Sequence, residues 1–320
     1  MAEPVKPIIP YKLLSAAELK NSPPPQWLLL DLLTVGSFAV LYGPPCVGKS
    51  FLALDFALSI ATGQSGLMEP SNSGLVVYIV AEGHGGLRSR VEAWEVTYCE
   101  ATNIRFLPEA VNFLLDLDSK RLLLALRALE NSPRMVVVDT MARCMLGGDE
   151  NSSEAVGRLI AKLDDIRKEF NSTILLVHHG TKNDDNVERG SSALRGAADT
   201  MLCLNGATHN LVLTCEKQKD AAEFKPMFLR LEVVQLTNGE TSCVLLPTGK
   251  PAMDKGAQAR TDIIDIVAGF PTPPTHAQIK ERYMDTEGHT KSTFDRALKE
   301  LLERGSVIKG ADGKYRLVGG

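Results

Sequence analysis

The octapeptide Gly43-Pro44-Pro45-Cys46-Val47-Gly48-Lys49-Ser50 sets two glycines, a lysine and a hydroxyl at the spacing G-x-x-x-x-G-K-[ST]. Each type suits the binding of phosphate. Gly43 and Gly48 let backbone N–H groups curl around the anion, Lys49 reaches the β and γ phosphates, and the Ser50 hydroxyl can ligate Mg2+. Pro44, Pro45, Cys46, Val47 and Phe51 complete the expected binding loop. The flanks agree with this reading. Phe38-Ala39-Val40-Leu41-Tyr42 is a short apolar run of buried-strand type, and Phe51, Leu52, Leu54, Phe56, Ala57 and Ile60 recur at helical spacing until Thr62-Gly63. Strand, loop and helix in that order put phosphates at a helix N-terminus, where the backbone dipoles favour anions. The chain is therefore expected to bind a nucleotide.

Three further strand ends carry groups with chemistry. Met135-Val136-Val137-Val138-Asp139 ends in a carboxylate that would hold Mg2+ through water beside Ser50. Leu75 to Val80 runs into Ala81-Glu82-Gly83, which puts Glu82 at the carboxyl end of a sheet, where ligands bind and a carboxylate can polarise an attacking water. Leu175-Leu176-Val177 ends in His178-His179, and at least one imidazole should face the γ-phosphate edge and sense hydrolysis by hydrogen bonding. The pattern does not say which. Neither histidine has a partner at metal-ligand spacing, so zinc is not expected. The next stretch, Gly180 to Ser192, is polar and long for a connection. Its Lys182 and Arg189 could touch the phosphates of a strand in a central channel, the alternative being a surface loop.

With 320 residues the chain exceeds one ordinary domain, which suggests a large core and a smaller module. The net charge of −4 offers no bulk attraction for nucleic acid, so any DNA contact must be local. No apolar run approaches the ~18 to 20 residues of a membrane span. Met1-Ala2-Glu3-Pro4 lacks the basic-then-apolar order of a secretory leader, and six scattered cysteines form no C-x-x-C pair. The expectation is a cytoplasmic protein without disulfides or membrane contact.

Composition divides the chain into a proline-bearing arm (1–26), a body (27–247), a Gly, Pro, Lys and Asp linker (248–258) and a second module (259–320). The arm holds a short capped helical pattern near Ser15-Ala16-Ala17-Glu18-Leu19. In the body, strands at 75–80, 134–139 and 173–178 alternate with helices near 87–100, 119–130 and 153–170, which implies a mostly parallel sheet with helices on both faces. The runs 201–204, 211–215, 227–236 and 241–246 read as an antiparallel extension turning at Asn238-Gly239. In the last module three amphipathic helices (260–268, 275–284, 291–304) precede a hairpin at Asp312-Gly313, the order of a winged helix. His289, Thr290, Lys291, Ser292 and Arg296 would then lie where a recognition helix makes contacts. DNA binding, a protein partner and a purely structural role all remain open for it.

Taken together, the loop, Ala81-Glu82-Gly83, the Asp139 strand, Gly148 to Ser152, the His-His strand and Arg189-Gly190-Ser191-Ser192-Ala193-Leu194-Arg195-Gly196-Ala197-Ala198-Asp199 resemble one family. It is the RecA-like ATPase domain of the plasmid and phage RepA-type hexameric replicative helicases, and the likeness covers about residues 11–247. The resemblance implies an α/β RecA-like P-loop NTPase fold with ATP and Mg2+ held between neighbouring subunits of a hexameric ring. It also implies single-stranded DNA as partner, Glu82 as the catalytic glutamate and basic residues entering from the neighbour. Lys217-Gln218-Lys219 is similar to the Lys-x-Arg pair that RadA and KaiC relatives insert in trans, with lysine at the arginine position; Arg195 is the alternative. A RadA-like recombination mediator and a KaiC-like regulatory oligomer are the rival expectations, and the last module could serve a replication-protein partner.

Overall fold

In the computed structural model, which describes residues 13–180, 192–249, 255–285 and 290–317, the chain enters through a single helical turn, α1 (Ala16–Lys20). Ser15 and Glu18 close a reciprocal capping box on that turn, yet none of its residues is buried. A short antiparallel ribbon follows, β1 (Trp27–Leu29) with β2 (Leu33–Thr34).

Next come β3 (Phe38–Tyr42), α2 (Lys49–Thr62), β4 (Val76–Val80), α3 (Leu87–Thr97), β5 (Ile104–Leu107), α4 (Asp116–Arg127), β6 (Met135–Asp139), α5 (Ser153–Phe170) and β7 (Thr173–Val177). After α6 (Ser192–Ala197) the chain turns to strands alone: β8 (Thr200–Ala207), β9 (Asn210–Gln218), β10 (Met227–Gln235) and β11 (Thr241–Pro247). The nine strands from β3 to β11 make one sheet in the order β11-β10-β9-β8-β3-β7-β6-β4-β5. This is the RecA-like P-loop ATPase fold, α/β with a mostly parallel central sheet.

The central strands are apolar without alternation because both faces are covered. Along β3, Ala39 and Leu41 pack toward α2 and α3, while Phe38, Val40 and Tyr42 pack toward α4, α5 and α6. β6 splits the same way, Met135 and Val137 against Val136 and Val138. Each such fully buried aliphatic side chain contributes about 1.5–3 kcal/mol. The antiparallel strands curl over α2 and α3, so that Leu211, Leu229 and Val244 join the core on that face. Thr237 and Ser89 fasten the turn between β10 and β11 to α3, the first by donating to Glu92 at 2.7 Å and the second to Glu240 at 3.5 Å.

Several boundaries differ from the sequence expectation. The run 201–204 is not simply part of an antiparallel extension, because β8 pairs parallel with β3 and antiparallel only with β9. α3 ends at Thr97, and α4 begins at Asp116, three residues before its apolar pattern, with Asp116 and Asp118 in the first turn favoured by the helix dipole. β5 and the β1–β2 ribbon had no expectation attached. β5 lies at the sheet edge with its side chains half-covered, so its four residues carry neither a long run nor a clean alternation.

The last elements are α7 (Lys255–Ala268), α8 (His276–Met284), α9 (Lys291–Glu303) and the hairpin β12 (Val307–Lys309) with β13 (Tyr315–Leu317). They bury Ile263, Ile279, Tyr283, Phe294, Leu298, Leu301 and Tyr315 in a core of their own. Among the described residues no helix is long and apolar enough to cross a membrane.

Candidate active site

Parallel register brings four strand ends into line. Leu41 lies beside Val177, Val177 beside Asp139, and Asp139 beside Val80. The residues that follow each strand therefore share the carboxyl edge of the sheet, where open α/β folds bind ligands. Backbone bonds lock this edge: Ala81 N–H donates to Asp139 O at 2.7 Å, His178 N–H to Leu41 O at 2.8 Å and Gly180 N–H to Gly43 O at 2.9 Å.

The phosphate loop turns here because its backbone enters the left-handed region. Gly43 has φ +152°, Gly48 +104° and Cys46 +60°. At Gly43 the demand is also steric, since a Cβ would stand 2.0 Å from the Leu204 carbonyl oxygen of β8. Lys49 is buried, and its ammonium donates to Gly43 O at 2.9 Å and Pro44 O at 2.6 Å. The loop's own carbonyls thus hold the charge over the start of α2. Cys46 is exposed at the tip of the loop.

Asp139 is buried, with Tyr78 Oη donating to its Oδ2 at 2.8 Å. Burial pushes its carboxyl above the ordinary range, and the neighbouring hydroxyls of Ser50 and Tyr78 oppose that by favouring the charge. Its Oδ1 has no hydrogen-bond partner among the described residues. An unsatisfied buried carboxylate oxygen is costly, and beside a serine hydroxyl it is the oxygen donor set that a hard cation takes. The residues present therefore fit Mg2+ with a nucleotide.

Glu82 follows β4 and is partly exposed. Thr140 Oγ1 donates to its Oε1 at 3.3 Å, Arg143 Nε approaches Oε2 at 3.5 Å, and His179 Nε2 stands 4.0 Å from Oε1. Of the two histidines, His179 reaches the Glu82 side of the edge, while His178 is fully buried. Successive residues of an extended segment face opposite ways, which separates them.

Two cations at this edge escaped sequence reasoning. Arg143 sits in a 3-10 turn after Asp139, and Arg90 lies on α3 with its guanidinium 4.9 Å from the centre of the Phe51 ring. Burial raises the pKa of both Asp139 and Tyr78, and the positive charge of Arg90 opposes that rise by a smaller amount. The only available signal was helical spacing: Arg90 lies eight residues after Glu82, on a helix starting at the strand end.

Other expected site residues lie elsewhere. Lys217 pairs with Met201, and Thr200 with both Gln218 and Ala39, so Lys217 and Lys219 border the amino edge of the sheet. From Ala39 to Gly43 is about 13 Å along the strand. Lys217 Nζ donates to the carbonyls of Arg195 (2.7 Å) and Ala198 (2.5 Å) at the end of α6. Lys219 is exposed, 3.3 Å from Asp199 Oδ1, and Arg195 is half-buried on α6. Lys182, Arg189 and His289 lie outside the described residues. Thr290 caps α9, accepting from Thr293 N–H, and Lys291 and Arg296 are exposed on that helix. Among the described residues no cluster of His, Cys, Asp and Glu suits a metal held by side chains alone.

Among solved structures, a KaiC-like protein from the hyperthermophilic archaeon Pyrococcus horikoshii OT3 is similar at 16% identity and a TM-score of 0.46, over 69% of this chain and 94% of that one. A family model described as an AAA domain matches residues 7–185. That span exceeds half of the 320 residues and takes in the phosphate loop, Glu82, Asp139 and both histidines, and the chain belongs to the AAA domain family.

Proposed function

We propose that the protein is an ATP-hydrolysing, ring-forming motor acting on single-stranded DNA, of the replicative-helicase kind. The observation that carries the reading is the split between the two edges of the sheet. Lys49, Ser50, Glu82 and Asp139 gather at the carboxyl edge, while Lys217 and Lys219 border the other, beyond reach of the chain's own phosphate loop. A second copy packed edge to edge could present those lysines, or Arg195, to the first copy's nucleotide.

In this reading Lys49 leaves its carbonyl partners for the β and γ phosphates, and Ser50 and Asp139 would hold Mg2+. When bound, Mg2+ would offset the charge of the phosphates. Glu82 orients and deprotonates the attacking water, held by Thr140 and flanked by Arg143. His179 reads the γ-phosphate, and Arg90 supplies positive charge between Phe51 and Asp139. Lys219 in trans would act as a point charge, without the bidentate grip of arginine.

We read the carboxy-terminal unit as a winged helix, with α9 presenting Lys291 and Arg296 to DNA or to a replication partner. Lys182 and Arg189 are the candidate strand contacts in a central channel. The test is steady-state ATP hydrolysis across protein concentrations, with and without single-stranded DNA. Turnover that climbs with concentration and again with DNA is expected, and strand displacement would follow. Concentration-dependent turnover indifferent to DNA would replace the motor by a regulatory oligomer, and strand pairing without unwinding by a recombination mediator.

A further inference from the structure

The geometry points to Asp55 as a positioning residue that sets Arg90 at the nucleotide site through Trp94, an inference that rests on the reading of Arg90 given above. Asp55 lies inside α2, 2% exposed, among apolar side chains. It accepts two hydrogen bonds: Leu67 N–H to Oδ1 at 3.0 Å and Trp94 Nε1–H to Oδ2 at 3.2 Å.

A carboxylate in such a place is costly, and a leucine would suit the helix better. Its bonds point to what it holds. Phe51 and Asp55 are four residues apart on α2, and Arg90 and Trp94 four apart on α3, so each pair shares one helix face. The helices meet by two rungs. Arg90 sits over the Phe51 ring at 4.9 Å, and one turn on, the Trp94 indole donates to Asp55. The second rung fixes how far α3 can slide or rotate, and with it where the Arg90 guanidinium stands relative to Asp139.

Other groups near Asp55 do not replace this contact. Phe51, Asp55, Arg90, Trp94 and Cys243 of β11 line one small gap between the helices and the curled sheet. Tyr98, one turn beyond Trp94, has its phenol pushed up to about 12, by burial first and the Asp55 charge second. The loop that brings Leu67 closes tightly, since a Cβ on Gly66 would come within 2.6 Å of Asp55 Oδ2 and Ser59 Oγ.

Asparagine at position 55 keeps the size but offers one acceptor oxygen and one amino group to the two N–H donors, so it cannot hold Leu67 and Trp94 as the carboxylate does. The experiment is a double-mutant cycle of Asp55→Asn and Arg90→Ala, reading ATP affinity and turnover, with thermal unfolding to establish that each variant folds. Arg90→Ala is expected to lower kcat/KM. Asp55→Asn should lower it about tenfold with the same division between kcat and KM, and should add less than about twofold in the Arg90→Ala background. Trp94→Phe keeps the carboxylate and most of the ring, removes the N–H, and should behave like Asp55→Asn; it serves as the test if the asparagine variant does not fold. Equal losses from Asp55→Asn in both backgrounds, or no loss while Arg90→Ala is impaired, would overturn the positioning role. An Arg90→Ala variant with full affinity and turnover would overturn the reading of Arg90 itself.

Discussion

The two edges of the parallel sheet use buried polar groups in opposite ways. At the amino edge they satisfy one another. Asp199 Oδ2 accepts from Phe38 N–H at 3.0 Å, with Arg167 at 3.5 Å, and Arg167 also donates to Gly36 O at 3.2 Å. Thr173 Oγ1 donates to Thr34 O at 2.8 Å and accepts from Gly36 N–H at 3.1 Å, and Ser172 donates to Pro133 O. At the carboxyl edge Asp139 Oδ1 is unmatched among the described residues, and Lys49 is folded onto its own loop. Closed networks stabilise a fold, whereas a buried group lacking a partner imposes a cost that a ligand can relieve.

Substitutions at the two edges should therefore fail differently, and the largest effects belong to the carboxyl edge. Lys49→Ala should cut ATP turnover by more than about a thousandfold while leaving the unfolding transition nearly unchanged. Glu82→Gln should lose about a hundredfold or more in kcat with ATP binding retained; tight binding together with normal turnover would remove Glu82 from the role of base.

The amino edge should show the reverse. Asp199→Ala leaves Phe38 N–H and Arg167 short of a partner and should cost about 2 kcal/mol in denaturant unfolding. Lys217→Ala should cost about 1 kcal/mol at most, through the lost contacts with the last carbonyls of α6. Lys219 is where the contrast can break. Its exposed ion pair with Asp199 is worth little to stability, so a fall in turnover in Lys219→Ala without a stability change would place this amino-edge residue in catalysis. Unchanged turnover would shift the trans role to Arg195.

Asp55 belongs to neither pattern, since it is buried and hydrogen-bonded, yet its surroundings push its pKa up to about 7, well above the ordinary carboxylate range. Burial is the larger cause, and the bonds from Leu67 and Trp94 oppose it. With the folded value raised, the native state binds a proton between about pH 4 and 7 that the unfolded chain does not. This contribution to stability is complete below pH ~4, falls as pH rises to ~7, and is flat above, by up to about 4 kcal/mol. Unfolding measured across that range should show the slope in the wild type and a shallower one in Asp55→Asn, since Asp139, also raised, keeps its own share.

The candidate residues that the sequence placed at one sheet edge are those whose position is set locally. The loop, Asp139 and Glu82 each sit at the end of an apolar run, and a run of five residues buried on both faces marks where it stops. Arg90, Arg143 and Asp55 carried no sequence signal because their positions depend on what packs against them. Asp55 stands in an apolar helix where a single carboxylate reads as the solvent side, whereas the structure buries it against Leu67 N–H and the Trp94 indole. The histidines were ambiguous because neighbouring positions face opposite ways, and the burial of His178 and the approach of His179 to Glu82 distinguish them. The curl of the antiparallel strands was also invisible, since it arises from pairing between segments far apart in sequence.

The clasp between α3 and the β10–β11 turn has a consequence for how the molecule opens. Glu92 and Ser89 tie α3 to residues some 150 positions later in the chain, while the link from β4 to α3 passes through Gly83, Gly85 and Gly86. Local opening follows contacts more closely than chain order. Amide hydrogens of α3 should therefore exchange with solvent together with those of β10 and β11, on one cooperative timescale slower than that of the glycine segment before them.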